Sequence, residues 1–163
     1  MTLDVAKTKK AMVEFIERRR PTHFVSLAFN PNKDKRSTPS ATLLRGGHER
    51  AIGSLSAWDA QLNRRQLGRH WQRLSDARLM GVAFYEHPDT NAHWHLLVLP
   101  PASKSSRSFR KDVEETWRKI EPNGTVDIQP ITDLKPLASY VTKEIYNPNC
   151  YQRFQLLGPT FNR

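Results

Sequence analysis

The chain has 163 residues, of which 37% are hydrophobic, with four tryptophans and seven phenylalanines, so it is long and apolar enough for one packed domain (1–163) rather than a disordered chain. Its formal net charge of +10 points to a polyanionic partner, nucleic acid first, with a merely solubilising basic surface as the plainer alternative. A single cysteine, Cys150, excludes an internal disulfide and suits a reducing compartment; no apolar run reaches membrane-spanning length, and the opening MTLDVAKTKK lacks a signal-peptide hydrophobic region.

Residues 4–19 place Val5, Met12, Phe15 and Ile16 on one side of a helix that ends in Arg18, Arg19 and Arg20 before Pro21. HFVSLAFN (23–30) alternates as a strand, and 31–47 reads as a polar loop marked by proline and glycine. A helical pattern follows over 49–77, with Ile52, Leu55, Trp58 and Leu62, then Leu67, Trp71 and Leu74. The five-residue step from Leu62 to Leu67 breaks its phase and leaves a kink or a second helix open. Strands are expected at 78–87 and 93–99 with PDTN (88–91) as their turn, a helix at 108–120, a strand at 124–131, and a helix at 134–146. Asp133 is placed to cap that last helix, and Pro136 falls in its first turn. The tryptophans at 58, 71 and 117 sit at helical core spacing. The order after the first helix, β-α-β-β-α-β-α, predicts an α+β domain whose antiparallel or mixed sheet carries its helices on one face.

NAHWHLLVLP (91–100) holds the chemistry. On a strand, His93, His95, Leu97 and Leu99 share one face, and Trp94, Leu96 and Val98 share the other. Apolar residues on both faces mark an interior strand, where two imidazoles need partners. If PDTN closes a tight turn with Pro88 opposite Asn91, Glu86 lies across from His93 and Phe84 across from His95. Opposed Cβ atoms lie about 5 Å apart, so a carboxylate and two imidazoles meet as a three-donor site with an open side. A one-residue slip would send Glu86 to the wrong face. Two separately satisfied histidines are the alternative. Tyr85 and His87 alternate away from Glu86, and His23, His48, His70 and His87 receive no role.

Further along, Tyr140 and Lys143 are three apart and neighbours on one helix surface, Tyr140 at the edge of the stripe Leu134, Leu137, Val141 and Ile145. A tyrosine phenol ordinarily stays protonated, with a pKa of about 10, and needs a nearby positive charge or metal to act as a nucleophile. Lys143 offers such a charge; a snorkelling lysine beside a half-buried tyrosine is the alternative. Tyr146 and Tyr151 lack a lysine three positions on.

Taken in order, HFVSLAFN, HWHLLV with Glu86, and YVTKE resemble the three motifs of the HUH (His-hydrophobic-His) endonuclease superfamily, particularly its single-tyrosine replication initiators, over about residues 22–146. The resemblance implies a five-stranded antiparallel sheet of RRM-like topology and a divalent ion, magnesium or manganese, on Glu86, His93 and His95. It also implies nicking and rejoining of single-stranded DNA at a replication origin through a 5′-phosphotyrosine on Tyr140, with Lys143 positioning the phosphate. Host replication proteins or a helicase would be the protein partners, and the location cytoplasmic, or nuclear for a viral source. A single nuclease domain (1–163) with no helicase domain after it is expected, with the N-terminal helix 4–19 an extra element outside the family pattern.

Phosphate contacts are expected from Arg64, Arg65, Arg69 and Arg73, from Lys104, Arg107, Arg110 and Lys111, and from Lys33, Lys35 and Arg36, each cluster being equally readable as a solvated face. Rival readings are a single-tyrosine transposase, an inactive nucleic-acid-binding regulator on the same fold, and a zinc hydrolase that activates water.

Overall fold

The structure, a computed structural model, describes residues 4–30, 41–88, 90–103, 108–143 and 154–159. Asp4 caps helix α1 (Val5–Arg19) by accepting from Lys7 N, and Arg20 closes it in the left-handed region. Strand β1 (His23–Ala28) follows, then helix α2 (Ala41–Leu67), strands β2 (Met80–Glu86) and β3 (His93–Leu99), helix α3 (Phe109–Ile120), strand β4 (Thr125–Pro130), helix α4 (Leu134–Val141) and strand β5 (Phe154–Leu157).

Five strands form one antiparallel sheet in the order β4-β1-β3-β2-β5. The β2–β3 register places Glu86 opposite His93 and Phe84 opposite His95, as the hairpin argument requires. Gly81 makes this pairing possible: a Cβ there would stand 2.8 Å from Val98 Cγ1 and would clash with the Leu97 carbonyl oxygen. The residues of β5 do not announce it. Its four residues, FQLL, are too few to show an alternation, and its partners in β2 lie 70 to 76 positions earlier.

Helices cover both faces, not one. Val25, Leu27, Trp94, Leu96 and Val98 pack against Leu55, Trp58 and Leu62 of α2 and Val113 and Trp117 of α3. On the reverse face Val82, Phe84 and Leu97 pack against Ile16 of α1 and Ala138 and Val141 of α4. Interior strands that are apolar on both sides need two covers, and β2 and β3 are such strands.

Three boundaries differ from expectation. α2 begins at Ala41, inside the stretch read as loop, and stops at Leu67, where Gly68 at φ 86° bonds back to the Arg64 carbonyl. Residues 71–77 form two short 3-10 turns with no buried residue, so Trp71 lies outside the core and stacks with the Arg78 guanidinium, 4.6 Å from its ring centre. Asp133 occupies the N-cap position of α4 without a capping side-chain bond, and that helix gives way at Thr142. Residues 144–146, with Tyr146, lie outside the described residues, as do Cys150 and Tyr151.

Candidate metal centre and the tyrosine beside it

The last residue of β2 and the first and third of β3 bring Glu86, His93 and His95 to one end of the α1/α4 face. One donor atom from each lies within 4.8 Å of the other two. His93 Nε2 and His95 Nε2 are 3.0 Å apart, and His95 Nε2 is 3.8 Å from Glu86 Oε2.

The remaining ring nitrogens set the protonation pattern. His93 Nδ1 lies 2.6 Å from the Asn91 carbonyl oxygen, which can only accept, so Nδ1 carries the proton and Nε2 of the neutral ring is a lone pair. His95 Nδ1 faces the Ser26 hydroxyl at 3.0 Å. If Nδ1–H donates to Ser26, both Nε2 atoms are bare and converge on a common point. Such an outer ring of hydrogen bonds is what orients metal-ligating imidazoles. If Ser26 donates instead, His95 Nε2–H bonds to His93 and the pair is satisfied without an ion.

The carboxylate favours the ion. Glu86 is 3% exposed, and neither of its oxygens accepts a hydrogen bond. A buried carboxylate in that state is costly unless a cation completes it. The nearest charge is Lys143 Nζ at 3.4 Å. Two ligands held at right angles about 2.1 Å from an octahedral ion lie about 3.0 Å apart, which matches the imidazole pair. Burial first, then the charges of His93, Lys143 and His87, lower the His95 imidazole to about 4, so it is neutral and ready to ligate near neutrality.

α4 sets Tyr140 beside this group. Its ring centre is 6.5 Å from that of His95, its side chain is half exposed, and Lys143 Nζ stands 3.9 Å from its ring centre. Burial pulls the Lys143 ammonium down, but Tyr140 and the Glu86 carboxylate outweigh it and leave the group raised, hence charged. Tyr85 lies on the other face, packed on Trp94 at 5.0 Å between ring centres.

Sequence reasoning missed Ser26 and His87. Ser26 is brought to His95 by the β1–β3 pairing, which no local pattern announces. Strand alternation sends His87 to the opposite face, but β2 ends at Glu86. At φ 50° the His87 backbone turns the ring back, and its Nε2 comes to 3.8 Å from Glu86 Oε2. His23, His48 and His70 lie elsewhere, against Phe109, Tyr85 and Arg69 respectively.

The expected phosphate-binding residues are scattered. Arg64, Arg69 and Arg73 are exposed at the end of α2 and just beyond it, where the Asn63 side chain accepts from Leu79 N, one residue before β2. That is the end of β2 opposite Glu86, about 20 Å away along a seven-residue strand. Arg65 is committed to Asp112, 3.1 Å away, and to Glu115. Arg110 donates to the Ile128 carbonyl and lies 3.7 Å from Glu114, and Lys111 is 3.8 Å from Glu115. Lys33, Lys35, Arg36, Lys104 and Arg107 lie outside the described residues. Among the described residues no helix is long and apolar enough to cross a membrane.

No family model matches the chain, and no curated protein or solved structure matches it either. The five-stranded antiparallel sheet and the His-x-His group with its facing glutamate are compatible with the HUH fold.

Proposed function

We propose that this protein is a metal-dependent endonuclease and strand transferase that nicks single-stranded DNA through Tyr140 and so initiates rolling-circle replication of a plasmid or virus. One observation carries the reading: a tyrosine with a lysine at its ring borders a buried carboxylate and two imidazoles whose Nε2 atoms converge. A divalent ion on Glu86, His93 and His95, magnesium or manganese, would act as a Lewis acid on the scissile phosphate.

The chain's own residues account for the remaining requirements. Tyr140 Oη attacks phosphorus and forms a phosphotyrosine ester while the bond to the 3′ oxygen breaks; the phenol gives up a proton and the departing 3′ oxygen gains one. Phosphodiester bonds are conserved in number, so the strand can be rejoined by the reverse step. The Lys143 ammonium favours the phenolate and the extra charge that builds on the phosphate oxygens. Half exposure leaves Tyr140 open to a nucleic acid strand, as a buried residue would not be.

Tyr140→Phe tests the reading. It removes one oxygen from an exposed ring, so folding and DNA affinity should change by no more than about 0.5–1.5 kcal/mol. Incubation of the wild type with a pool of single-stranded DNA and manganese should give a covalent protein–DNA adduct on denaturing gels, and the variant should give neither adduct nor cleavage. Cleavage by the variant without an adduct would make water the nucleophile and remove the proposal.

A further inference from the structure

The turn after β2 carries a third imidazole that regular alternation would send away. His87 adopts a left-handed backbone, φ 50°, immediately before Pro88, and its carbonyl accepts from Thr90 N at 3.2 Å and Asn91 N at 3.1 Å. The chain reversal is therefore built on this residue. A left-handed setting is unfavourable for a residue with a Cβ, and a following proline restricts it further. Backbone held in sparsely populated regions clusters at ligand clamps and active sites. Here the result is specific: His87 Nε2 comes to 3.8 Å from Glu86 Oε2, and its ring lies 5.5 Å from that of His93 at an interplanar angle of 33°. The His87 side chain is 52% exposed, so its ring is only partly packed. Its Nε2 is not among the three donor atoms that lie within 4.8 Å of one another, so joining them requires the ring to turn about its two side-chain bonds.

We propose that His87 is a fourth protein ligand, closing on the ion held by Glu86, His93 and His95. Three nitrogens and one oxygen then make the site select a transition-metal ion such as manganese, cobalt, nickel or zinc over magnesium. The inference rests on the metal reading of the site given above. Magnesium keeps its waters and prefers an all-oxygen shell, whereas imidazole suits the first-row transition ions, so each added ring widens the discrimination. Glu86 supplies the one charged donor; its oxygens accept no hydrogen bond, and Oε2 lies 3.8 Å from the Nε2 of both His87 and His95.

The test uses the full chain, stripped of metal and labelled with nitrogen-15, and follows the six imidazoles during titration with zinc chloride. His87, His93 and His95 should show the nitrogen shifts of coordination, and His23, His48 and His70 should not. In parallel, His87→Gly, which suits the positive φ, should lower zinc and cobalt affinity about tenfold or more by calorimetry while magnesium affinity stays within about twofold. Shifts confined to His93 and His95, with His87→Gly binding like the wild type, would overturn the fourth ligand and leave the three-residue centre standing. No shift in any ring would overturn both.

Discussion

The hydroxyl of Ser26 lies 3.0 Å from His95 Nδ1, and which of the two donates decides whether His95 Nε2 is a lone pair or an N–H. An ion selects the first state, so Ser26→Ala should weaken manganese or zinc binding about 10- to 100-fold, as loss of an outer-shell partner commonly does, while urea unfolding of the metal-free chain shifts by roughly 1 kcal/mol. Equal affinities in a calorimetric titration would show that the hydroxyl orients nothing. A second residue-scale effect lies away from the site. Burial, opposed by Arg78 and by the Asn63 hydrogen bond, raises the Asp59 carboxyl to about 6. The folded chain then holds that proton more tightly than the unfolded one, so this contribution to stability is complete below about pH 4 and is lost as pH rises through 6. The amide introduced by Asp59→Asn cannot ionise. The stability of Asp59→Asn minus that of the wild type should therefore grow between pH 4 and 7, as measured by urea midpoints, and a flat difference would mean that Asp59 titrates normally. The residues legible in sequence were those fixed by a short hairpin, Glu86, His93 and His95. Ser26 was hidden because it meets His95 across 69 positions of chain. His87 was hidden because period-2 alternation was carried one residue past the true end of β2.

At the scale of elements, α2 and α3 are joined by a clamp in which Arg65 and Gln66 both donate to Asp112, at 3.1 and 2.6 Å, and Arg65 also meets Glu115. Asp112 is 1% exposed. A carboxylate so buried depends on its partners, and removing the guanidinium takes away the positive charge Arg65 places beside it. Arg65→Ala should therefore cost about 3 kcal/mol in urea unfolding, and most of any lost DNA affinity should return when binding is measured on the folded fraction alone. Little loss of stability together with weakened binding would instead make Arg65 a phosphate contact. The helix–strand order was legible because the apolar positions in α1, β3 and α3 repeat at their own periods over long stretches. Where the elements end was not. A glycine pair at 46–47 did not stop α2 from reaching back to Ala41, because isolated glycines cost a helix only about 1 kcal/mol each. β5 depends wholly on β2 for its pairing, and nothing within four residues could show it.

Across the whole molecule, a sheet packed on both faces gathers the donors and Tyr140 at one end of the α1/α4 face, where β2 hands over to β3. The exposed arginines of the α2 end, Arg64 and Arg69, sit at the other end of β2. On the proposed function, a strand that reached both would cross the domain, and anchoring and chemistry would be spatially separate tasks. Binding should follow the net charge of +10: if four phosphates are neutralised on single-stranded DNA, the logarithm of affinity falls with a slope of about −2.8 against the logarithm of salt. That is roughly fiftyfold between about 50 and 200 mM. Joint Arg64→Gln and Arg69→Gln substitution should make that slope shallower by about 1.4, since each lost contact releases fewer counterions, and should leave the adduct-forming rate of saturated complexes within about twofold. Titrations at several salt concentrations, paired with single-turnover cleavage at saturating protein, separate the two effects. A slower chemical step with an unchanged slope would place these arginines in the reaction rather than in the anchoring. An unchanged slope and rate together would move the phosphate contacts to the metal-bearing end, where Lys143 is the cation already in place beside Glu86 at 3.4 Å.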